Sequence, residues 1–218
     1  GLKLYELYGN TTYTPSEGVV PISLTREGDA IALIFGGNDA HTDNSVGTVT
    51  TDVWIEANEG TYKAIVGGNY ANNWGGGSRA DFVGDTHIKI DGATVGTVMG
   101  GNYKDGKGAT FTGNSYISVF SGNVTGAIVG AGVTTHDNSP TFTGNTNIFV
   151  YTALEAGSSQ MHSEPSDMVI GGFAWGTNVA KTYTIDGNTN ITIDLNEYTG
   201  EATFNKHIVG VNYSGTGN

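Results

Sequence analysis

The 218-residue chain contains no cysteine, only four prolines and few charged side chains. The lack of cysteine excludes a disulfide framework and thiolate metal sites. Nine Lys and Arg stand against 21 Asp and Glu, giving a formal net charge of −12 at pH 7. Scattered basic residues on an acidic chain argue against nucleic acid and anionic membranes as partners. No apolar run approaches the roughly 20 residues of a membrane helix, so we expect no membrane insertion.

Glycine is abundant instead, with 35 copies that follow a repeated phrase. An apolar pair runs into a glycine corner and an Asn, as in residues 65–69 (Ile-Val-Gly-Gly-Asn). Similar phrases occupy 34–38, 98–102, 128–132, 169–173 and 208–212, and their first glycines lie 31, 33, 30, 41 and 39 residues apart. A period near 30 residues is typical of a repeat architecture.

Two further phrases keep step with the glycine corner. One is an alternating strand, which we align as Val53-Trp54-Ile55 with 88–90, 117–119, 148–150 and 191–193. The other precedes it and pairs a large apolar residue with a Gly-Asn or Gly-Asp corner, at 82–86, 111–115, 142–146 and 185–189. In the alternating strand, β-branched residues two apart are expected to face a core and the residue between them to face outward.

These phrases predict an all-β fold, a single-stranded parallel β-helix with three short strands per coil and about five to six coils. Equal residues in successive coils would then form ladders: a Phe82-Phe111-Phe142 stack and an Asn114-Asn145-Asn188 amide ladder. A propeller and a sandwich are the rival architectures. Both require hairpins, and two-residue Asn-Gly or Asp-Gly hairpin turns do not recur in phase here.

The repeat divides the chain into two parts. Residues 1–30 do not match it, and we expect them to cap the first coil or to form an irregular coil. Residues 31–218 carry the repeats, with an insertion near 152–167. The last residues follow a glycine corner with no further strand, so we expect the open end to meet further coils of a longer parent chain or another partner.

With the three phrases in register, residues 31–218 resemble secreted bacterial parallel β-helix proteins of the adhesin and autotransporter-passenger kind. That group is similar in fold to pectate lyases. The residues that carry the resemblance are the Gly-Gly-Asn corners at 36–38, 67–69 and 100–102 and the Gly-Asn/Asp corners at 82–86, 111–115, 142–146 and 185–189. The resemblance implies right-handed coiling and an extracellular or cell-surface location.

Aromatic residues follow the glycine corners and emerge at one edge of the predicted coils. Aromatic faces stack on sugar C–H groups, so this edge is a candidate glycan-binding site. The alternative is that the rings fold back over the loop glycines. The candidates are Tyr70, Trp74, Tyr103, Phe173, Trp175 and Tyr213.

A second aromatic set lies on the outward positions of the alternating strand. Adjacent coils are expected to bring Tyr116, Phe120, Phe149 and Tyr151 together, with Trp54 further along the same face. An exposed patch of this size normally has a partner or a cover. The insertion at 152–167 is long enough to cover it.

Two groups of acidic residues are candidates for metal binding or catalysis. Asp39, His41 and Asp43 alternate, so an extended loop would aim all three one way, as a divalent-metal or calcium site requires; a solvated acidic loop is the alternative. Glu56, Asp91 and Asp194 are expected to share one outward column, where paired carboxylates would allow glycosidic chemistry. A solvated charged face is the favoured explanation for these three residues.

The sequence therefore favours a non-enzymatic β-helix module of a bacterial surface protein, acting in adhesion or as a stalk. Its expected partners are host or community glycans or surface proteins, and no cofactor is required. The alternative is a β-helical polysaccharide lyase or glycoside hydrolase.

Overall fold

The computed structural model describes residues 22–25, 31–40, 46–71, 79–103, 109–134, 141–154, 169–175, 184–195 and 207–214. Across these ranges the chain is all-β, with strands, bends and turns but no helix. A search of the same ranges finds no helix with the length and apolarity needed to cross a membrane.

Nineteen strands follow one another along the described chain. They are β1 (Ile22–Thr25), β2 (Ile31–Phe35), β3 (Asp39–Ala40), β4 (Val46–Thr50), β5 (Val53–Glu59), β6 (Thr61–Val66), β7 (Tyr70–Ala71), β8 (Arg79–Val83), β9 (Thr86–Met99), β10 (Thr110–Thr112), β11 (Ser115–Val124), β12 (Ile128–Val129), β13 (Val133–Thr134), β14 (Thr141–Thr143), β15 (Thr146–Val150), β16 (Val169–Trp175), β17 (Thr184–Asp186), β18 (Thr189–Ile193) and β19 (His207–Ser214).

Every strand pair is parallel, and the strands form two large sheets. Strands β4, β8, β10, β14 and β17 make a five-stranded sheet, and twelve others make a sheet that curls until it is nearly closed. Strands β3 and β7 pair separately. Parallel neighbours that lie about 30 residues apart, with no hairpin among the described strands, are consistent with a parallel β-helix.

Strand β1 lies inside the segment that we expected to be a cap or an irregular first coil. It pairs with β5, and Ile22 stands opposite Ile55. The alternating strand thus recurs six times in the described chain, in β1, β5, the first part of β9, the first part of β11, β15 and β18. The chain is therefore already in register with the repeats before residue 31.

Our alignment of the first alternating strand was wrong by two residues. Ile55, and not Val53, stands opposite Ile88, and Val53 stands opposite Thr86. Alternation has a period of two, so a shift of two residues keeps every side chain on its predicted face and hides the error. The sequence signal that settles the register is Asp52. It corresponds to the corner residue Asp85 of the next repeat, and Thr51 stands where that repeat has Gly84.

The connection expected between the alternating strand and the glycine-corner strand is absent from β9. This strand runs unbroken through 14 residues and belongs to both walls of the curled sheet. It bends at Gly92, whose φ of 114° lies in the region that favours glycine, and a Cβ there would meet the carbonyl of Asn58. At this point the pairing with β11 shifts register, so that Asp91 stands opposite Ser121 and Thr94 opposite Asn123.

The expected apolar core and aromatic stack are confirmed. The inward Ile and Val side chains form one continuous buried cluster, which includes Ile55, Ile88, Ile117 and Ile148. Phe111 stacks on Phe82 at 4.9 Å and on Phe142 at 4.7 Å between ring centroids. Their planes differ by only 2° and 5°, so the three rings lie almost parallel.

The expected amide ladder is also confirmed, and it is longer than predicted. The backbone N–H of Asn145 donates to Oδ1 of Asn114 at 3.0 Å, and the N–H of Asn188 donates to Oδ1 of Asn145 at 3.0 Å. Asp85 and Asp52 extend the same ladder toward the N-terminus, at 2.7 and 2.9 Å. Each corner therefore binds the next through one side-chain oxygen.

The glycine corners bring the backbone close to the start of the next alternating strand. A Cβ on Gly67 would lie 2.8 Å from Cβ of Thr86 and 2.5 Å from the carbonyl oxygen of Gly100. Thr86 in turn donates its hydroxyl to that carbonyl at 2.6 Å. Glycine recurs at this position because no side chain fits between the two walls.

Candidate functional site

The aromatic edge predicted after the glycine corners forms a stacked column in its described part. Tyr70 lies between Phe35, at 5.0 Å, and Tyr103, at 5.5 Å between ring centroids. The column packs on the outward side of the glycine-corner strands, against Val66 and Met99. Tyr103 is only 2% exposed, whereas Tyr70 is half-buried. Tyr70 is thus the tyrosine of this pair that keeps surface for a ligand.

The other predicted glycan-binding residues are placed by their backbone alone or lie outside the described residues. Phe173 and Trp175 lie in β16 and Tyr213 in β19, where Tyr213 stands opposite Ala174. Trp74 lies outside the described ranges. Tyr213 is therefore offset by one residue from both Phe173 and Trp175 in the pairing of β16 with β19. These strands do not place aromatic residues opposite each other, unlike Tyr70 and Tyr103.

The Asn of each glycine corner has a structural role that the sequence did not reveal. The backbone N–H of Asn38 donates to Oδ1 of Asn69 at 2.7 Å, and that of Asn69 donates to Oδ1 of Asn102 at 2.9 Å. Asn69 and Asn102 are buried. The sequence signal for this role is the recurrence of Asn at one corner position. In stacked coils, each such Asn lies beside the equivalent Asn of the next coil and can hydrogen-bond it.

The outward face of the alternating strands holds a second column, which the corrected register creates. The ring of His87 lies between Trp54, at 3.8 Å, and Tyr116, at 4.6 Å, with interplanar angles of 12° and 6°. All three side chains are at most 9% exposed. This part of the outward face is therefore buried.

Charged side chains run alongside this column. Glu56 stands opposite Lys89, so the expectation that it shares a column with Asp91 was wrong. The Lys89 ammonium pairs with Asp91 Oδ2 at 2.9 Å and lies 5.7 Å from the ring centre of Phe120. Ser121 donates its hydroxyl to Asp91 Oδ1 at 2.9 Å. Glu56, Lys89 and Asp91 thus form one polar cluster across two neighbouring strands.

Burial and charge move the pKa values in this cluster in opposite directions. Burial raises the pKa of Glu56 above its ordinary value, although the charge of Lys89 opposes the shift. Burial would also raise the pKa of Asp91, but hydrogen bonds from Lys89 and Ser121 hold it below its ordinary value. Burial lowers the pKa of His87 to about 4, against the raising effect of Asp52.

Two buried polar atoms of β5 have no hydrogen-bond partner. They are Nε1 of Trp54 and Oε1 of Glu56, on side chains that are each 3% exposed. They lie two residues apart on the same face. An unsatisfied buried polar atom costs roughly 1–3 kcal/mol, so each of these two atoms lowers the stability of the outward face.

The four aromatic residues expected to gather further along this face do so. Phe120 stacks on Tyr151 at 4.9 Å, and Tyr116 and Phe149 are buried in one cluster that also contacts Tyr151. Tyr116 and Phe149 are therefore buried, while Phe120 and Tyr151 stay half-buried. The insertion predicted to cover it lies outside the described residues beyond Leu154.

The predicted metal triplet is described only at its first residue. Asp39 begins β3, where it stands opposite Tyr70, while His41 and Asp43 lie outside the described residues. Elsewhere in the described ranges, no group of three His, Asp or Glu side chains is arranged to hold a metal ion. Asp194, the third acidic candidate, donates its backbone N–H to Val150 and lies near Tyr151, whose pKa is raised first by burial and then by that carboxylate.

Comparison with protein-family models, with curated proteins and with solved structures found no match to this chain. Function therefore has to be argued from the residues and their arrangement.

Proposed function

We propose that this chain is a right-handed parallel β-helix of about six coils that belongs to a secreted or cell-surface bacterial protein. In this proposal the module is not an enzyme and acts in adhesion or as a stalk. The observation that supports it most is the set of ladders along the axis: the phenylalanine stack, the Asp/Asn corner ladder and the Asn69–Asn102 ladder.

The ladders favour a rod because they use the recurring residues to join one repeat to the next. The corner asparagines use a backbone N–H or a side-chain oxygen to hydrogen-bond the neighbouring corner, as seen at Asn114, Asn145 and Asn188. A chain built in this way extends by adding repeats, and its stability grows with each interface. Such an elongated scaffold suits a stalk whose partners are further coils of the parent chain at its ends and glycans or surface proteins along its sides.

The aromatic edge is the proposed glycan contact, and Tyr70 is its described member with remaining surface. The test is a broad glycan array probed with the purified chain, with and without calcium. We expect selective binding that Tyr70→Ala and Trp74→Ala weaken, while far-UV circular dichroism stays unchanged. Thr192→Ala, on another exposed surface, is the matched control.

Calcium is included because of Asp39, His41 and Asp43. Binding that appears only with calcium and is lost in Asp43→Asn would assign a role to that triplet. A blank array under both conditions would reject glycan adhesion and leave the stalk. Equal losses in Tyr70→Ala and Thr192→Ala would remove the aromatic edge as the site.

A polysaccharide-degrading enzyme is the second candidate, and one observation favours it. Glu56 and Asp91 lie on neighbouring strands of one face, and their pKa values are pushed apart, as in acid and base pairs. Glu56 would serve as the general acid and Asp91 as the ionised partner. Both lie near Lys89. The Asp91 side chain is 37% exposed, so a substrate could contact it directly, whereas Glu56 is only 3% exposed and would have to be uncovered first.

The enzyme candidate is tested by incubating the chain with a panel of soluble polysaccharides and measuring new reducing ends and unsaturated products. Activity that disappears in both Glu56→Gln and Asp91→Asn would establish it. Activity that survives either change would exclude this pair, and no product from any polysaccharide would leave the non-enzymatic module as the proposal.

A further inference from the structure

The outward face of the five-stranded sheet carries two straight columns of threonine. Alternate residues of a strand point the same way, so the positions on either side of the inward Phe, Val or Ile form two outward columns. In the longer strands β4 and β8, Val46 and Arg79 occupy one further position of the same alternation. One column is Thr48, Asp81, Thr110, Thr141 and Thr184. The other is Thr50, Val83, Thr112, Thr143 and Asp186.

The two columns form a regular two-dimensional array. The sheet has no register shift along its length, so each threonine stands opposite its counterpart. Neighbouring strands of a sheet lie about 4.7–4.9 Å apart. The ring centroids of the phenylalanine stack behind this sheet are 4.9 and 4.7 Å apart. Within a strand, the two outward positions are about 6.6 Å apart, twice the rise per residue.

The aromatic rings behind the array are nearly parallel to one another. Neighbouring strands in ordinary sheets are rotated by roughly 20–25°, and flat sheets need stacking or side-chain ladders to hold them. Here the rings of Phe82, Phe111 and Phe142 differ in orientation by only 2° and 5°. The Asp85–Asn114–Asn145 ladder runs along one edge of the same strands.

The second column is exposed along its whole length, whereas Asp81, Thr110 and Thr141 of the first column are half-buried. Seven of the ten positions are threonine, and the others are Asp81, Val83 and Asp186. Thr112 and Thr143 are exposed, and Val83, which has nearly the shape of threonine, is 44% exposed. No Lys or Arg stands in either column. The carboxylate of Asp81 accepts hydrogen bonds from the N–H and hydroxyl of Thr110, at 2.8 and 2.9 Å. Each exposed threonine thus presents one hydroxyl and one methyl group.

We propose that this threonine face binds an ordered lattice of water, namely the surface of an ice crystal. Threonine is stiff at χ1, so the hydroxyl rows are pre-ordered and little freedom is lost when they meet a rigid partner. The array repeats at fixed spacings along and across the strands, as the oxygen rows of an ice surface do. The methyl groups hold water between the rows, and the hydroxyls join it by hydrogen bonds.

The unshifted register and the composition of the face point to this partner over others. A sugar-binding surface usually offers aromatic rings, amides or carboxylates, and an anionic partner needs basic residues. The central block of Thr110, Thr112, Thr141 and Thr143 has none of these. A rigid, uncharged array with one repeat in each direction suits a partner that is itself periodic in two directions.

The test uses the purified full chain in two ice assays. The first measures its partition into a slowly growing ice mass, and the second measures inhibition of ice recrystallisation. Each is compared with a non-binding acidic carrier protein. We expect the chain to be enriched several-fold in ice and to keep crystals small. Thr112→Tyr should abolish both effects, because one bulky ring in the centre lifts the whole face from the lattice.

Two further variants show whether ice binding depends on the threonine face or on any change at the protein surface. Thr192→Tyr places the same ring at an exposed position of β18, outside this sheet, and should leave ice binding unchanged. Val83→Thr should increase it, because it fills the gap in the second column. Circular dichroism confirms that each variant is folded.

Three results would overturn the proposal. The chain could partition into ice no better than the carrier, or Thr112→Tyr and Thr192→Tyr could behave alike. Sedimentation could also show a dimer that Thr112→Tyr dissociates, which would assign the face to a second copy of this chain. The glycan array separates this proposal from the adhesive function. If the unmodified chain does not bind ice and Thr112→Tyr loses glycan binding, the face is assigned to glycans.

Discussion

The phenylalanine stack offers the sharpest test of the fold, and Phe111 is its centre. Phe111 is 2% exposed and touches a parallel ring on each side. Phe111→Ala removes the ring, leaves a cavity in the core and separates Phe82 from Phe142. The exposed neighbour Thr112, on the other face of the same strand, provides the control Thr112→Ala.

The expected loss of stability follows from burial and from the two stacks. Truncation of a buried Phe to Ala costs about 3–5 kcal/mol, which includes the cavity that remains. Each stacked pair contributes roughly 0.5–1.5 kcal/mol beyond its buried area, so Phe111 belongs in the upper part of that range. We therefore expect a loss of about 4 kcal/mol for Phe111→Ala and less than about 0.5 kcal/mol for Thr112→Ala.

The assay is equilibrium unfolding in urea, followed by far-UV circular dichroism and by tyrosine and tryptophan fluorescence. Repeat proteins can unfold from one region outward, so the slope m is compared between variants together with the midpoint. The double-mutant cycle of Phe111→Ala with Phe142→Ala isolates the contact between the two rings.

A loss below about 1 kcal/mol for Phe111→Ala, with m unchanged, would refute the reasoning, because a ring buried on both sides cannot be removed so cheaply. No coupling between Phe111 and Phe142 in the cycle would show that the rings are buried but do not support each other. A loss for Thr112→Ala equal to that of Phe111→Ala would indicate that the two faces of the strand are exchanged.

Three further predictions follow from the packing and electrostatics. Gly67→Ala should destabilise the chain by about 1–3 kcal/mol, because the new Cβ would overlap Thr86. Gly210→Ala is the control and should be neutral, because a Cβ there meets nothing within 4 Å. The two variants are compared by thermal unfolding. Asn114→Ala should cost about 1–2 kcal/mol in urea unfolding, because it leaves the N–H of the next corner without its acceptor. His87 has a folded pKa near 4, below its ordinary value of 6.5, so the unfolded chain binds the extra proton between these pH values. The free energy of unfolding should therefore fall by about 3 kcal/mol as pH drops from 6.5 to 4. Urea titrations at several pH values measure this dependence, and His87→Phe should remove it. If the free energy of unfolding of His87→Phe depends on pH as that of the unmodified chain does, the assignment to His87 is contradicted.

The sequence was sufficient for the features that each repeat forms with its own copy. Phe82, Phe111 and Phe142 recur at one position of the phrase, and a parallel fold places like beside like. The Asn114–Asn145–Asn188 ladder follows from the same rule. The glycine corners were visible as a pattern, although the reason for them, the closeness of Gly67 to Thr86, required the backbone of both walls.

The tertiary structure alone decided the features that join unlike residues. Whether Glu56 faces Lys89 or Asp91 depends on a shift of two residues, and alternation looks the same in either register. The burial of Trp54 and His87 on the outward face likewise depends on what covers the sheet, which local periodicity does not encode. Sequence periodicity thus determined which residues repeat and which face they take, and only the assembled sheets determined which different residues meet.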